Sequence, residues 1–427
     1  MSRWLRMFTL ILVILPSIGW AQTGGGSSLG PDIDRLAKEV ESRVIEWRRD
    51  FHQNPELGNK EFRTSEKVAE HLRRLGMEVQ TKVAHTGVVG ILRGKKDTPV
   101  VALRADMDAL PVTELVDVPF ASKNKGVMHA CGHDAHTAIL MGVAEAFSKL
   151  KDRLPGTVKF IFQPAEEGPP PGEEGGAYLM IKEGALESPK PDAIFGLHVS
   201  PFAPVGVIAF RAGGMLASAD RFKVVVKGKG THGAMPWAGV DPIVTASQII
   251  LGFQTIISRQ TNLTVTPAVV TVGTIKGGTR PNIIPGEVEM EGTTRGFDPK
   301  IRTEIHEGME KMAKSIAEAA RATAEVTFYR GIPVTYNDPQ LTAQMTPTLQ
   351  RVTGPGKALT APQNTGAEDF AFFQEKIPGL FIILGTNAPG KTPVPNHSPH
   401  FTIDESALVL GVRALSNLAV DFLESKK

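Results

Sequence analysis

The stretch "DIDRLAKEVESRVIEWRRDFHQNPE" sets Ile33, Leu36, Val40, Val44 and Trp47 at helical spacing on an otherwise charged segment. That periodicity predicts an amphipathic helix. Further on the pattern changes. "TPVVALRAD", "GTVKFIFQPAEE", "DAIFGLHVS" and, much later, "GLFIILGTN" are short apolar runs without alternation. Strands covered on both faces of a mainly parallel sheet have this appearance. Helical stretches lie between them, among them "TAILMGVAEAFSKL", whose helix is expected to begin near Thr137. Alternation of strand and helix predicts an α/β layered domain.

The middle of the chain follows another rule. Between about residues 214 and 331 the order is strand "RFKVVVKGKG", helix "DPIVTASQIILGFQTIISRQ", strand "AVVTVGTIKGG" and strand "GEVEMEGTTRGFD". A long polar helix around "IRTEIHEGMEKMAKSIAEAARA" and strand "AEVTFYRG" close the set. This β-α-β-β-α-β order predicts a ferredoxin-like unit. Its first strand alternates, with Phe222, Val224 and Val226 against Lys223, Val225 and Lys227, so one face is expected to be wet. The layout expected is a leader over 1–21, a linker over 22–30, a catalytic domain in two parts (31–213 and 332–427) and the inserted unit at 214–331.

Composition narrows the classes. Arg3 and Arg6 precede an uncharged apolar stretch interrupted by Pro16, too short for a comfortable membrane span. "GWA" before Gln22 is a small-residue cleavage site, so a secretory signal peptide cut after Ala21 is expected, with a retained anchor as the alternative. The 47 Lys and Arg, less Arg3 and Arg6, balance the 45 Asp and Glu. Such neutrality leaves no electrostatic footprint for nucleic acid or for a membrane surface after leader cleavage. With 41% apolar residues the chain is expected to be globular, of two domains, and exported to the periplasm or beyond.

Cys131 is the only cysteine, and it lies in "MHACGHDAHTA" among His129, His133 and His136. No disulfide can form within one chain, and a lone exposed thiol is a liability in an oxidising compartment. Metal ligation would protect it. Other potential ligands cluster in the same way: Asp106 and Asp108 after "VVAL", Glu166 and Glu167 after "VKFIF", His198 after "AIFGL", and His397 and His400 in "PNHSPHF". Open α/β sheets place their sites at the carboxyl ends of parallel strands. Neighbouring residues point in different directions, so one of Glu166 and Glu167 can ligate while the other serves as general base. Thiolate, imidazole and carboxylate together suit Zn²⁺, and the oxygen ligands also admit Mn²⁺ or Co²⁺.

"ALRADMDALP", "MHACGHDAHTA", "FQPAEEG", "GLHVSP", "GTHGAMPWAGVDP", "TTRGFD" and "PNHSPHF" resemble the co-catalytic metal aminoacylase and carboxypeptidase superfamily. Within it they are similar to the branch of bacterial hippurate hydrolases, N-acyl-amino-acid amidohydrolases and plant auxin-conjugate hydrolases. The likeness runs from about residue 32 to 425. It implies a di-metal catalytic domain with an inserted lid or dimerisation domain, and a homodimer. It also implies two divalent ions, Zn or Mn with Co admissible, held by Cys131, His133, Glu167, His198 and His397. Glu166 is then the general base, and Asp106 orients the site. His232 would polarise the scissile carbonyl across a dimer interface, with Asn282 and Arg295 holding the substrate. Where the wider superfamily has a histidine two residues before its orienting aspartate, this chain has Arg104. The "PPPGEE" insertion after Gly168 is expected beside the site, where it would reshape the acyl pocket. The implied reaction is hydrolysis of an N-acyl amino acid. Dipeptide or amino-acid-conjugate hydrolysis and a non-catalytic metal-binding protein are the alternatives.

Overall fold

The computed structural model describes residues 27–426. The expected leader, and the expected linker as far as residue 26, lie outside them. The first helix, Gly30–Gln53, starts with Pro31 in its first turn and buries Ile33, Leu36, Val40, Val44 and Phe51. It lies against helices His133–Ser148 and Leu408–Ser425.

Those helices cover one face of an eight-stranded sheet. Its order is Glu78–Val83, Gly87–Leu92, Thr157–Gln163, Val100–Asp106, Ala193–Pro204, Gly379–Asn387, Ile208–Phe210 and Ala358–Thr360. The four strands read as apolar runs are the central ones, and they are parallel to one another. Both faces of the sheet are covered, which accounts for the missing alternation. Val101, Leu103 and Phe160 join the large apolar cluster beneath the three helices. Ala102, Ile161 and Ile194 point the other way, into a second cluster with Met180 and Phe370. The antiparallel edge hairpin Glu78–Val83 with Gly87–Leu92 extends the sheet. The last helix is apolar enough to span a membrane over Glu405–Ser425, but 78% of that window is buried in the protein.

The middle segment forms a separate antiparallel sheet, in the order Ala268–Gly277, Glu287–Gly296, Ala219–Lys227, Thr323–Ile332. Helices Pro242–Thr255 and Pro299–Ala319 pack against one face. There Phe222, Val224, Val226, Ile249, Phe253, Met290 and Met309 form a cluster of their own. The opposite face carries ion pairs, Lys223–Glu289 at 2.6 Å and Lys227–Glu325 at 2.8 Å. Asp-Pro starts both helices: Asp241 accepts from the Ile243 amide at 2.8 Å, and Asp298 from the Lys300 amide at 2.9 Å. The aspartates cap while proline takes the first helical position, where no amide is needed. Strands Gly213–Leu216 and Thr335–Asn337 pair where the chain enters and leaves this segment.

Phe222 is buried and stacks edge-to-face on Phe253 with ring centroids 5.9 Å apart. Phe222→Ala is expected to destabilise this unit by about 3–5 kcal/mol, the usual cost of an aromatic cavity. Urea unfolding would measure it, and a loss below about 1 kcal/mol would contradict the packing described.

Candidate metal centre

The site begins with a turn that only glycine can make. Gly132 has φ +90°, and a Cβ there would lie 2.3 Å from Val199 Cγ2. The reversal lets Cys131 and His133, on either side of it, serve one site. The helix starts at His133, a turn earlier than the expected Thr137, because the Gly132 carbonyl already accepts from the Ala135 and His136 amides. Asp134 pins this start to the first helix through Arg48 at 2.9 Å and His52 at 2.7 Å.

Around the turn the candidate ligands converge. Cys131 Sγ is 3.3 Å from His198 Nε2, and His397 Nε2 is 3.0 Å from Glu167 Oε1. The donor atoms of Cys131, His133 and His198 all lie within 4.8 Å of one another, as do those of Cys131, Glu167 and His397. The two triads share the sulfur. His133, Glu166 and Glu167 form a third group on the same criterion. His198 lies within its strand, which runs on to Pro204 rather than ending before the histidine.

The imidazoles are oriented for ligation. Nδ1 of His133 donates to Asp108 at 3.1 Å, and Nδ1 of His198 donates to the Val199 carbonyl at 2.7 Å. Each bond turns its ring so that Nε2 faces the other donors. Nε2 of His133 is buried without a hydrogen-bond partner, and so is Oε1 of Glu167, whose approach to His397 lacks hydrogen-bond geometry. Buried polar atoms are rarely left unmatched. A divalent cation matches these, and a donor set of thiolate, imidazole and carboxylate fits one.

A further shell supports the first. Asp108 also accepts from the Glu167 amide at 3.0 Å, and Asn396 donates to the Cys131 carbonyl at 3.2 Å. Asp106 is 3.9 Å from His133 Nδ1 and instead bonds His136 Nδ1 at 2.5 Å, while His136 Nε2 accepts from the Val199 amide at 2.9 Å. The orienting work on His133 thus falls to Asp108. Arg104, fully buried, binds Asp106 at 2.5 Å, Glu368 at 3.0 Å and Asp369 at 2.9 Å. Asn396, Glu368 and Asp369 were not singled out from the sequence, and His136 was named only as one of the histidines around Cys131. His136 was visible one helical turn after His133; nothing local marks "AED".

The two adjacent glutamates are driven apart electrically. Burial, with Glu368, Asp369 and Glu167 close by, holds the Glu166 carboxyl well above the usual range. Glu167 is lowered: burial opposes this, and the imidazoles of His397 and His133 close by outweigh it. Without metal the Cys131 thiol falls to about 6, since His198 and the other imidazoles outweigh its burial. Two non-glycine residues here adopt left-handed backbone, Ala165 at φ +50° and His397 at φ +67°. Such strain gathers at functional sites. Glu61 accepts from the Ala165 amide at 2.9 Å and supports that turn.

A cavity of about 380 Å³ opens beside Cys131, Glu166, Glu167, His198 and His397. The "PPPGEE" loop does not line it. Glu173 accepts from Asn59 Nδ2 at 3.0 Å, and the Glu174 carbonyl meets His85 Nε2 at 3.2 Å. His232 and Asn282 are brought together, since His232 pairs with Ile283 and Gly233 donates to the Asn282 carbonyl at 2.7 Å. Arg295 donates to the Thr294 carbonyl at 2.9 Å. None of these three residues lines the cavity of their own chain.

A parallel sheet presenting these donors, with the Glu166 carboxyl beside them, defines a metal-dependent hydrolase of amide bonds. The chain belongs to the M20/M25/M40 peptidase family, whose model matches residues 102–421. It is 45% identical to thermostable carboxypeptidase 2 of Saccharolobus solfataricus, covering 90% of this chain and 96% of that one. It is 40% identical to the N-acetylcysteine deacetylase of Bacillus subtilis, over 91% and 99% of the two chains. The crystal structure of the Bacillus subtilis YXEP protein, described as a dinuclear metal binding M20 peptidase, superposes with a TM-score of 0.78. It shares 39% identity and covers 91% of this chain and 99% of its own.

Gly132→Ala is expected to weaken metal binding about 10–100-fold, the range found when ligand orientation is disturbed. Titration with Zn²⁺ or Mn²⁺ against a competing chelator would measure this, and wild-type affinity would refute the role given to the turn.

Proposed function

We propose that this chain is an exported di-metal amidohydrolase that cleaves N-acyl amino acids into a carboxylic acid and an amino acid. The observation that carries the reading is the meeting of two donor triads that share the Cys131 sulfur with Glu166 and Glu167, adjacent in one turn. Cys131, His133, Glu167, His198 and His397 hold two divalent ions, Zn²⁺ or Mn²⁺ with Co²⁺ admissible. When bound, the ions supply Lewis acidity, polarising the amide carbonyl and acidifying water. Glu166 accepts the proton of the attacking water on its carboxylate and returns it to the leaving nitrogen. Asp106 acts through His136, and Asp108 keeps the imidazole of His133 aimed.

His232, Asn282 and Arg295 complete the site from a second copy of the chain, polarising the carbonyl and holding the substrate's carboxylate. Support for a homodimer comes from the inserted unit. Strand Ala268–Gly277 is an open sheet edge with Val269 and Ile275 exposed, and Val244 and Leu251 are exposed on the neighbouring helix. A symmetric dimer would use the same patch on both copies. Export rests on the leader pattern, with cleavage after Ala21 and a periplasmic or secreted product. A dipeptidase activity on the same machinery is the second reading, favoured by the likeness to the carboxypeptidase.

Three expectations follow from this assignment. Light scattering at micromolar concentration should give twice the chain mass, and a monomer would remove the route by which His232 reaches the site. Glu166→Gln should keep its metal and lose about 10²–10⁴-fold in turnover of an N-acyl amino acid. Glu167→Gln should lose metal first and recover partly in excess metal. Atomic spectroscopy alongside kinetics separates the two variants, and the converse pattern reverses their roles.

A further inference from the structure

We infer that Glu368 is a further catalytic residue. Its free carboxylate oxygen takes the N–H of the scissile amide and holds the leaving amino group as that group becomes an ammonium. The inference rests on the amide-hydrolase reading and adds to it the residue that receives the amine.

Glu368 lines the 380 Å³ cavity together with Glu166, Asn364 and Gly366, yet it is only 1% exposed. Its Oε1 is occupied, accepting from the Phe370 amide at 2.9 Å and from Arg104 at 3.0 Å. Its Oε2 is buried and has no hydrogen-bond partner. A buried carboxylate oxygen is costly to leave unmatched. Asp369, the next residue, shows the contrast. Gln163 and the Ala177 amide engage both of its oxygens.

Glu166 stands between this loop and the metal donors. Its carboxylate groups with His133 and Glu167 on one side and with Glu368 and Asp369 on the other, each set within 4.8 Å, while Glu368 joins neither triad that shares the Cys131 sulfur. The Asp369 amide donates to Glu166 Oε1 at 3.4 Å and so fixes the loop against the general base.

That placement suits the leaving nitrogen. Hydrolysis puts a hydroxyl on the carbonyl carbon, breaks the C–N bond and returns one proton to nitrogen through Glu166. The second proton, shed by the new carboxylic acid, completes the ammonium. The nitrogen must therefore come within hydrogen-bond reach of Glu166, which brings it beside Glu368. A nitrogen gaining positive charge near the divalent ions proposed above is repelled by them, and a carboxylate at its side offsets that repulsion. A contact that strengthens as this charge grows favours the transition state over the bound substrate.

The test uses the metal-loaded full chain and two substrates that differ only at the leaving atom. One is an N-acylglycine, the other the O-acylglycolate with the same acyl group, an ester that offers no N–H and releases no ammonium. Values of kcat/KM are measured for the wild type, Glu368→Gln and Glu368→Asp, with bound metal followed by atomic spectroscopy. Glu368→Gln is expected to keep its metal and lower the amide-to-ester ratio about 10–100-fold, mainly through kcat, as the loss of one charge-assisted hydrogen bond would. Glu368→Asp keeps a charge for Arg104 but withdraws the oxygen by one methylene, and it should lower the ratio less. Amide and ester rates falling together, a ratio unmoved in both variants, or loss of metal from both would overturn the inference while leaving the hydrolase reading intact. No turnover of any N-acyl amino acid by the wild type would overturn both.

Discussion

The site depends first on a buried guanidinium. Arg104 sits at the middle of the sheet with no exposure and touches Asp106, Glu368 and Asp369. Glu166 crowds the same spot. So many carboxyls within a few ångströms would repel one another and take up protons, and Asp369 is already pushed up to about 7 by burial despite Arg104. Removing one partner from a buried ion pair commonly costs about 3–5 kcal/mol, because the other charges remain buried. Here the loss would also reach function. Asp106 would lose the charge that keeps it anionic and able to hold His136. An arginine serves where lysine would not, because its planar fork can satisfy several carboxylates at once.

The architecture was largely legible because the chain obeys two local rules in two places. Non-alternating runs around Val101, Phe160, Phe195 and Leu380 read as covered parallel strands, and both faces of those strands are indeed buried. Alternation around Phe222 read as a half-wet sheet, and its faces divide into an apolar cluster and an ion-pair ladder. The short edge strands Ile208–Phe210 and Ala358–Thr360 carry no such signal, having too few residues to show a period. Within the site, residues next to the strand ends could be named from spacing alone. Glu368 and Asp369 could not, since they arrive from a loop more than 200 residues downstream and meet Arg104 only through the fold. The division of labour between Asp106 and Asp108 was likewise invisible, being decided by which carboxylate the helix start at His133 happens to face.

Strain and support are matched around the donors. Ala165 holds a left-handed conformation without being glycine, and it does so next to the two glutamates. Its amide is engaged by Glu61, itself fully buried and raised to about 8 by burial and by the charge of Asp108. His397 is held in the same region of backbone space while its amide donates to the Ala130 carbonyl at 2.8 Å. His397 is thus tied to the segment carrying Cys131, and Ala165 to Glu61 at the start of helix Phe62–Arg74. Relaxation of one would therefore move its neighbour, which ties ligand geometry to the integrity of the whole turn cluster.

The lone cysteine also finds its explanation here. A thiol brought down to about 6 is largely thiolate at neutral pH, the form that reacts with oxidants. Packing reduces access, for Cys131 is only 6% exposed. It does not remove it, because the sulfur lines the cavity that must admit substrate. The imidazoles that lower the thiol are themselves candidate ligands, so the force that makes the sulfur reactive also makes it bind metal. Once its lone pairs are engaged, the sulfur is a poorer nucleophile, and the charge that invited oxidation is neutralised. If the chain is exported and Cys131 ligates metal as proposed above, one cysteine is tolerable at this position while metal stays bound, and a second elsewhere on the surface would lack that protection.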